Sequence, residues 1–233
     1  MTTTQRLALF DLDHTLLPLD SDYQWADFLA RTGRAGDPIE AQRRNEELME
    51  RYNAGRLTAE QSAEFMLGLL TRGTLRELDE WHEAYMAQVI LPAILPSAIA
   101  LVEQHLGQGD LCAIVTATNE FVTAPIARAF NIPHLIATIP EMHEGRYTGR
   151  ISGVPSFQAG KITRVQQWLA GMGQTMDDFT SIHFYSDSHN DLPLLEVVSH
   201  PIATNPSPVL RELARERGWR VIDLFEDMRD AKS

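Results

Sequence analysis

Apolar residues run without interruption over residues 7–10 and stop at Asp11-Leu12-Asp13. A short apolar run closed by polar groups predicts a strand buried on both faces. The character then changes. Residues 21–93 are rich in Ala, Glu, Leu, Gln and Arg, which predicts helix throughout, broken at Gly55 and at Gly73-Thr74. Thr58 with Gln61, and Thr74 with Glu77, carry capping-box spacing and predict two helix starts. From Pro96 onward, short apolar runs alternate with amphipathic stretches. Strands are expected at 111–115, 132–139, 182–185, 201–204 and 219–222, and helices at 97–106, 120–130, 159–169, 192–197 and 207–217. Residues 144–151, with Gly145 and Gly149, predict a small hairpin.

Strands alternating with helices imply an α/β fold, a Rossmann-like parallel sheet flanked by helices with right-handed crossovers. The helical block falls between the first and second sheet strands, so it reads as an inserted all-helical cap over residues 18–93. Residues 1–17 and 94–233 make the α/β core. In such sheets ligands bind beyond the carboxyl ends of the strands. Three predicted strands end there in polar groups: Asp11 and Asp13, Thr116, and Asp187.

Composition narrows the partners. The 233 residues are 44% hydrophobic and 22% charged, ordinary values for a chain able to bury its own core. Acidic residues outnumber basic ones 32 to 20, a formal charge of −12. That argues against nucleic acid and against an anionic membrane surface as partners, since both need a basic face. One cysteine, Cys112, excludes an intramolecular disulfide framework and fits a reducing compartment, so a cytoplasmic location is expected. The amino-terminal apolar stretch is too short for a signal peptide, and no membrane span is expected.

Two carboxylates after one strand repel by about 4 kcal/mol at 4 Å in an effective dielectric near 20. A divalent cation or protonation of one partner would offset this, and a solvated turn would avoid it. A hard ion such as Mg2+ accepts carboxylate oxygens, and Asp187 is a natural further ligand. An EF-hand loop is excluded, because its Gly and Glu positions hold Leu16 and Asp22.

The stretch Asp-Leu-Asp-His-Thr-Leu-Leu at 11–17 resembles the first motif of the haloacid dehalogenase superfamily of phosphatases. Thr116 fits its second motif, Lys161 its third, and Ser-Asp-Ser-His-Asn-Asp at 186–191 its fourth. The four occur in the right order, with room for a helical cap between the first two, as in the phosphoserine-phosphatase-like branch. Two departures stand out: the second motif reads Thr-Ala-Thr rather than Ser-Gly-Gly, and Ser186 replaces a common Gly.

The resemblance implies a Mg2+-dependent phosphomonoesterase acting on a small phosphorylated metabolite, as monomer or homodimer. Asp11 would be the nucleophile that forms an aspartyl-phosphate, and Asp13 the general acid and base. Metal ligands would be Asp11, Asp13 through its backbone carbonyl, and Asp187. Thr116, with the backbone N–H groups of the turn Ala117-Thr118-Asn119, would hold the phosphoryl oxygens. Lys161 would neutralise nucleophile and phosphoryl group, Asp191 would position Lys161 or a metal-bound water, and Asn190 is a further substrate contact. His14 and His189 have no assigned role.

In phosphoserine phosphatases an acidic residue after the first motif binds the substrate ammonium and a cap arginine binds its carboxylate. Asp20 fits the first role, and Met66 stands where the arginine is expected, with Arg51, Arg56 or Arg72 as substitutes. An amine-bearing substrate such as phosphoserine, histidinol phosphate or phosphoethanolamine is expected, and an acidic Asp20/Asp22 pair without that arginine favours the latter two. Tyr23, Trp25, Phe28 and Leu29 would form either an apolar pocket wall or a helix-packing face. The alternatives are a phosphotransferase using the same intermediate and a non-catalytic phosphate-binding or receiver-like module. Receiver domains lack an acid two residues after the phosphorylated Asp, so Asp13 argues against the second.

Overall fold

The computed structural model describes residues 5–53 and 59–225. Seven strands form one sheet: β1 (Arg6–Phe10), β2 (Leu111–Asn119), β3 (His134–His143), β4 (Arg146–Ser152), β5 (Ser181–Ser186), β6 (His200–Thr204) and β7 (Arg220–Ile222). Their order is β4-β3-β2-β1-β5-β6-β7, parallel except for the antiparallel β3–β4 pair. β1 is therefore central, which explains its unbroken apolar run. Leu7 and Leu9 join one hydrophobic cluster with Ala113 and Val115, while Ala8 and Phe10 join the other with Cys112 and Ile114.

Between β1 and β2 lie α1 (Ser21–Arg31), α2 (Pro38–Asn53), α3 (Ala59–Leu69), α4 (Leu75–Tyr85) and α5 (Leu91–Ala93). A π-helical segment, Met86–Ile90, joins α4 to α5. The expected capping box at the start of α4 is present. The Glu77 N–H donates to Thr74 Oγ1 at 3.3 Å and the Thr74 N–H donates to Glu77 Oε2 at 2.8 Å. The companion box at Thr58, the break at Gly55, and Arg56 lie outside the described residues.

The remaining helices are α6 (Pro96–Gly107), α7 (Glu120–Ala129), α8 (Ala159–Gly171), α9 (Leu192–Leu195) and α10 (Pro208–Glu216). One face of the sheet packs on Val165 and Leu169 of α8, Leu194 and Leu195 of α9, and Leu210 and Ala214 of α10. The opposite face packs on Val102 of α6 and on Val122 and Ile126 of α7. That cluster continues without interruption into Trp25, Phe28, Leu78 and Tyr85 of α1 and α4. Burial of this size, at about 25 cal/mol per Å2 of apolar surface, holds the inserted helices on the sheet.

The predicted hairpin is the β3–β4 pair, turned by Glu144 and Gly145, both at positive φ (47° and 75°). Two successive left-handed residues match the twist of a tight hairpin. β4 docks on α3 where a side chain at Gly149 (φ +81°) would lie 3.5 Å from Gly68 Cα. The register matters most for function. Phe10 pairs with Ile114 on one side and with Tyr185 on the other. The residues just beyond these three positions therefore emerge together at one edge of the sheet.

Candidate active site

Asp11 follows Phe10, Thr116 lies two residues past Ile114, and Ser186-Asp187 follow Tyr185, so the register assembles three of the predicted groups. The Asp11 N–H continues the ladder to the Tyr185 carbonyl at 2.9 Å. The chain then turns sharply: the N–H groups of Thr15, Leu16 and Leu17 all donate to the Leu12 carbonyl at 2.9–3.2 Å. This turn needs His14 at φ +58°, which is the part His14 plays; its side chain is exposed.

Lys161 enters from the first turn of α8 and is 2% exposed. Its Nζ donates to Asp11 Oδ1 at 2.8 Å and to Asp191 Oδ2 at 2.7 Å. Burial alone would lower the pKa of this ammonium, but the two carboxylates outweigh it and hold the group charged. Asp191 is set by the Ser186 hydroxyl, which donates to the same Oδ2 at 2.7 Å. The departure from Gly at position 186 thus supplies a hydroxyl that orients the partner of Lys161.

Thr15 links the two remaining carboxylates. Its Oγ1 lies 3.1 Å from Asp11 Oδ2 and 3.4 Å from Asp187 Oδ1, and it accepts the Asp187 N–H at 3.0 Å. One hydroxyl proton serves only one of the two carboxylates at a time. Burial, and then the charges of Asp11 and Asp191, push the Asp187 carboxyl up to about 8. This corner of the site is short of positive charge. Asp11 and Asp187 both bring carboxylate oxygens to Thr15, a donor chemistry that suits a hard divalent cation. Among the described residues no group of three His, Cys, Asp or Glu side chains is placed to hold a metal, so the fit rests on two carboxylates with main-chain and water oxygens.

Asp13 faces the helical insert. Its Oδ1 accepts the Ser21 N–H at 2.8 Å and its Oδ2 accepts the Thr118 hydroxyl at 2.7 Å. Each carboxylate oxygen thus has one fixed donor, which sets the orientation of the group. Burial, reinforced by the charge of Asp20, raises its pKa to about 6.

Residues 117–119 depart from the expected turn. They belong to β2, which runs four residues past the predicted end. Ala117 is exposed, the Thr118 N–H donates to Thr116 Oγ1 at 3.2 Å, and the Thr118 hydroxyl holds Asp13. Asn119 caps α7 by accepting the Val122 N–H at 3.1 Å, and its Nδ2 donates to Asp22 Oδ1 at 2.9 Å. The side chains of Thr118 and Asn119 are thus committed to Asp13 and Asp22, and the Thr118 N–H to Thr116. Thr116 itself is buried, and since its oxygen accepts from Thr118 its own O–H remains to donate.

Asp20 also acquires a local task. It caps α1, accepting the Tyr23 N–H at 2.8 Å. Asp22 is the acid that lies against Asn119; burial, then Asp20 and Asp13, raise its pKa well above the ordinary range. Met66 is buried in the core, as are Trp25, Phe28 and Leu29, whose rings and side chains pack between helices and sheet. Arg72 donates to the Ala35 carbonyl at 2.9 Å and Arg51 is exposed. Asn190 is partly buried beside the fourth-motif acids, with its N–H on Ser188 Oγ, and His189 is exposed. Thr15 escaped the sequence reading although it lies within the first motif; its spacing of four from Asp11 was the available signal.

A comparison with protein families matches residues 8–196 to the haloacid dehalogenase-like hydrolases. The chain belongs to this family. It is 42% identical over 220 residues to the histidinol-phosphatase of Neisseria meningitidis serogroup C (strain 8013), a match covering 94% of this chain and 99% of the relative. It is also similar to the crystal structure of a protein with unknown function from Bordetella pertussis Tohama I. The TM-score is 0.94 at 70% identity, over 96% of this chain and 100% of that one. A substrate-bound phosphoserine phosphatase superposes with a TM-score of 0.64 at 18% identity, over 97% and 96% of the two chains, which shows the shared fold.

Proposed function

We propose that the protein is a Mg2+-dependent phosphomonoesterase that works through an aspartyl-phosphate on Asp11. The observation that carries the proposal is the pairing of Asp11 with Lys161 at 2.8 Å while a second acid, Asp13, stands two residues on in a separate environment with its pKa raised to about 6. A carboxylate held by an ammonium, beside a carboxyl raised toward neutral pH, suits a nucleophile and an acid. A carboxylate oxygen of Asp11 attacks phosphorus as the bond to the leaving oxygen breaks. Asp13 gives its proton to that oxygen, then takes a proton from the water that hydrolyses the acyl phosphate. Thr116 O–H donates to a phosphoryl oxygen, and Lys161 neutralises charge at the nucleophile and at the phosphoryl group. Asp11, Asp187 and the Asp13 carbonyl would hold the Mg2+, which supplies further charge neutralisation for in-line transfer.

The substrate proposed is a small phosphomonoester bearing an amine, with histidinol phosphate favoured over phosphoserine. The main support is the similarity to the Neisseria histidinol-phosphatase; the sequence adds the Asp20/Asp22 pair and Met66 where a cap arginine is expected, although Asp20 caps α1 and Asp22 is held by Asn119. Losing a charge-assisted contact to a substrate carboxylate costs about 1.5–3 kcal/mol. Residues 18–93 act in this reading as the cap over the site. A cytoplasmic setting belongs to the same proposal, supported by the buried free thiol of Cys112.

Phosphate release from p-nitrophenyl phosphate tests the chemistry. Turnover is expected with Mg2+ and should vanish in Asp11→Asn with the fold intact by circular dichroism. Substantial turnover by that variant would refute the covalent route. A panel of histidinol phosphate, phosphoethanolamine, phosphoserine and sugar phosphates tests the substrate; a clear preference for phosphoserine or an anionic sugar phosphate would reject the amine reading.

A further inference from the structure

Asn205 lies beyond β6, outside every motif of the active site, with its backbone at φ +46°. Its side chain reaches back to the catalytic turn. Nδ2 donates to the carbonyls of His14 and Thr15, both at 3.1 Å. The three N–H groups of that turn, from Thr15 to Leu17, all go to Leu12, so the Asn205 amide supplies donors to carbonyls on its far side. Its other end is anchored. Asn205 Oδ1 accepts the Leu224 N–H at 2.6 Å, and the Asn205 N–H donates to the Ile222 carbonyl at 2.8 Å. Two residues later the Ser207 N–H donates to the Asp187 carbonyl at 2.9 Å.

We infer that Asn205 is a positioning residue for catalysis, bracing the Thr15 peptide so that the Thr15 hydroxyl is held between Asp11 and Asp187. The geometry gives it three constraints at once. An amide is the side chain that both donates twice and accepts once over this short reach. Asn is also among the few non-glycine residues that tolerate a left-handed backbone. The Thr15 hydroxyl, at 3.1 Å from Asp11 Oδ2 and 3.0 Å from the Asp187 nitrogen, has no freedom to follow a drifting turn without releasing one partner. The carboxy-terminal segment at Leu224 thereby becomes a support for the nucleophile. The inference rests on the phosphatase reading for its kinetic arm only.

Two variants separate the possibilities. Asn205→Gly keeps the backbone conformation and removes the amide. Asn205→Asp keeps an acceptor for Leu224 but sets a carboxylate against two carbonyl oxygens. Each is expected to lower kcat for p-nitrophenyl phosphate by about tenfold or more with KM within about threefold, since displacement of a reacting group by about 1 Å costs up to about a hundredfold. Amide exchange in residues 12–17 should accelerate in both variants while β1 stays protected. A residue that only stabilises the fold would lower the unfolding midpoint and leave both readouts unchanged. The inference is overturned if kcat stays within about twofold of wild type, or if kcat falls with no change in exchange at 12–17. Should Asn205→Asp fail to fold, Asn205→Gly decides. If the wild-type protein hydrolyses no phosphomonoester, the phosphatase reading fails, and unchanged exchange in Asn205→Gly would separately reject the brace.

Discussion

Asp11 and Lys161 are 150 positions apart in the chain and 2.8 Å apart in space, with Asp191 2.7 Å from the same ammonium. Removing the cation leaves two buried carboxylates facing each other. Lys161→Met keeps most of the volume and none of the charge, and is expected to lower kcat by about a hundredfold or more, the scale of losing one preorganised electrostatic group. Breaking a buried ion pair also costs about 3–5 kcal/mol of stability. Lys161→Arg should not restore activity, because a planar fork does not fit a pocket cut for one ammonium. Steady-state kinetics and urea unfolding on the two variants check both halves. A Lys161→Met enzyme with wild-type kcat would remove Lys161 from the mechanism.

A pH profile tests the acid role proposed for Asp13. A carboxyl raised to about 6 is protonated below that pH and ready to donate. For a substrate with an alkyl leaving group, kcat/KM should fall as pH rises through about 6. For p-nitrophenyl phosphate, whose leaving group departs without a proton, the fall should be much shallower. Thr118→Val removes the hydroxyl that stabilises ionised Asp13, so its alkyl-phosphate limb should move to higher pH. Identical profiles for the two substrates would argue against Asp13 as the acid.

If Asp187 is the proposed metal ligand, stability should depend on both pH and the cation. Its folded pKa of about 8 stands above the ordinary 3.8, so protonation favours the folded state. Its contribution is fully present below about 4 and is lost as pH rises through about 8. The metal-free protein should therefore melt at progressively lower temperature between about pH 5 and pH 8.5. In the proposed site Mg2+ would supply the missing positive charge, so adding it should raise the melting temperature more at pH 8 than at pH 5. In Asp187→Asn both trends should flatten. An equal Mg2+ effect at the two pH values in the wild type would contradict this account.

Much of this arrangement could be read from residues alone, because it depends on periodicity and on strand ends. β1 carries an apolar run because both its faces are covered, and Asp11 must then emerge at its carboxyl edge. The capping spacing of Thr74 and Glu77 marks the start of α4 from neighbours only three apart. What escaped depends on pairing across the chain. The strand after Val115 continues to Asn119, where Asn119 pairs with Thr138, although Thr and Asn there resemble a turn. Asp20 and Asp22 cannot be told apart by type; one caps a helix and the other meets Asn119 because α1 begins between them. Thr15 reaches Asp187 and Asn205 reaches His14 across 172 and 191 positions, and no local pattern encodes partners so far away.

Gly160, immediately before Lys161, is the final test of how the ammonium is placed. A Cβ at this position would lie 2.2 Å from the Pro155 carbonyl oxygen and 3.5 Å from Val154 Cγ1. The nearest obstacle is backbone, which cannot rotate aside, so α8 itself must move. Gly160→Ala should cost about 1–3 kcal/mol, the usual penalty for overpacking, even though alanine is the better helix former. The displaced first turn carries Lys161 with it, so kcat should fall in the fraction that remains folded. Gly171→Ala, at the other end of the same helix, meets nothing within 4 Å and has no positive φ, so it should leave kcat unchanged and stability equal or higher. Thermal unfolding and kinetics on this pair separate helix propensity from close approach. If Gly160→Ala matched Gly171→Ala in both, the 2.8 Å contact between Lys161 and Asp11 would not depend on the tight entry to α8.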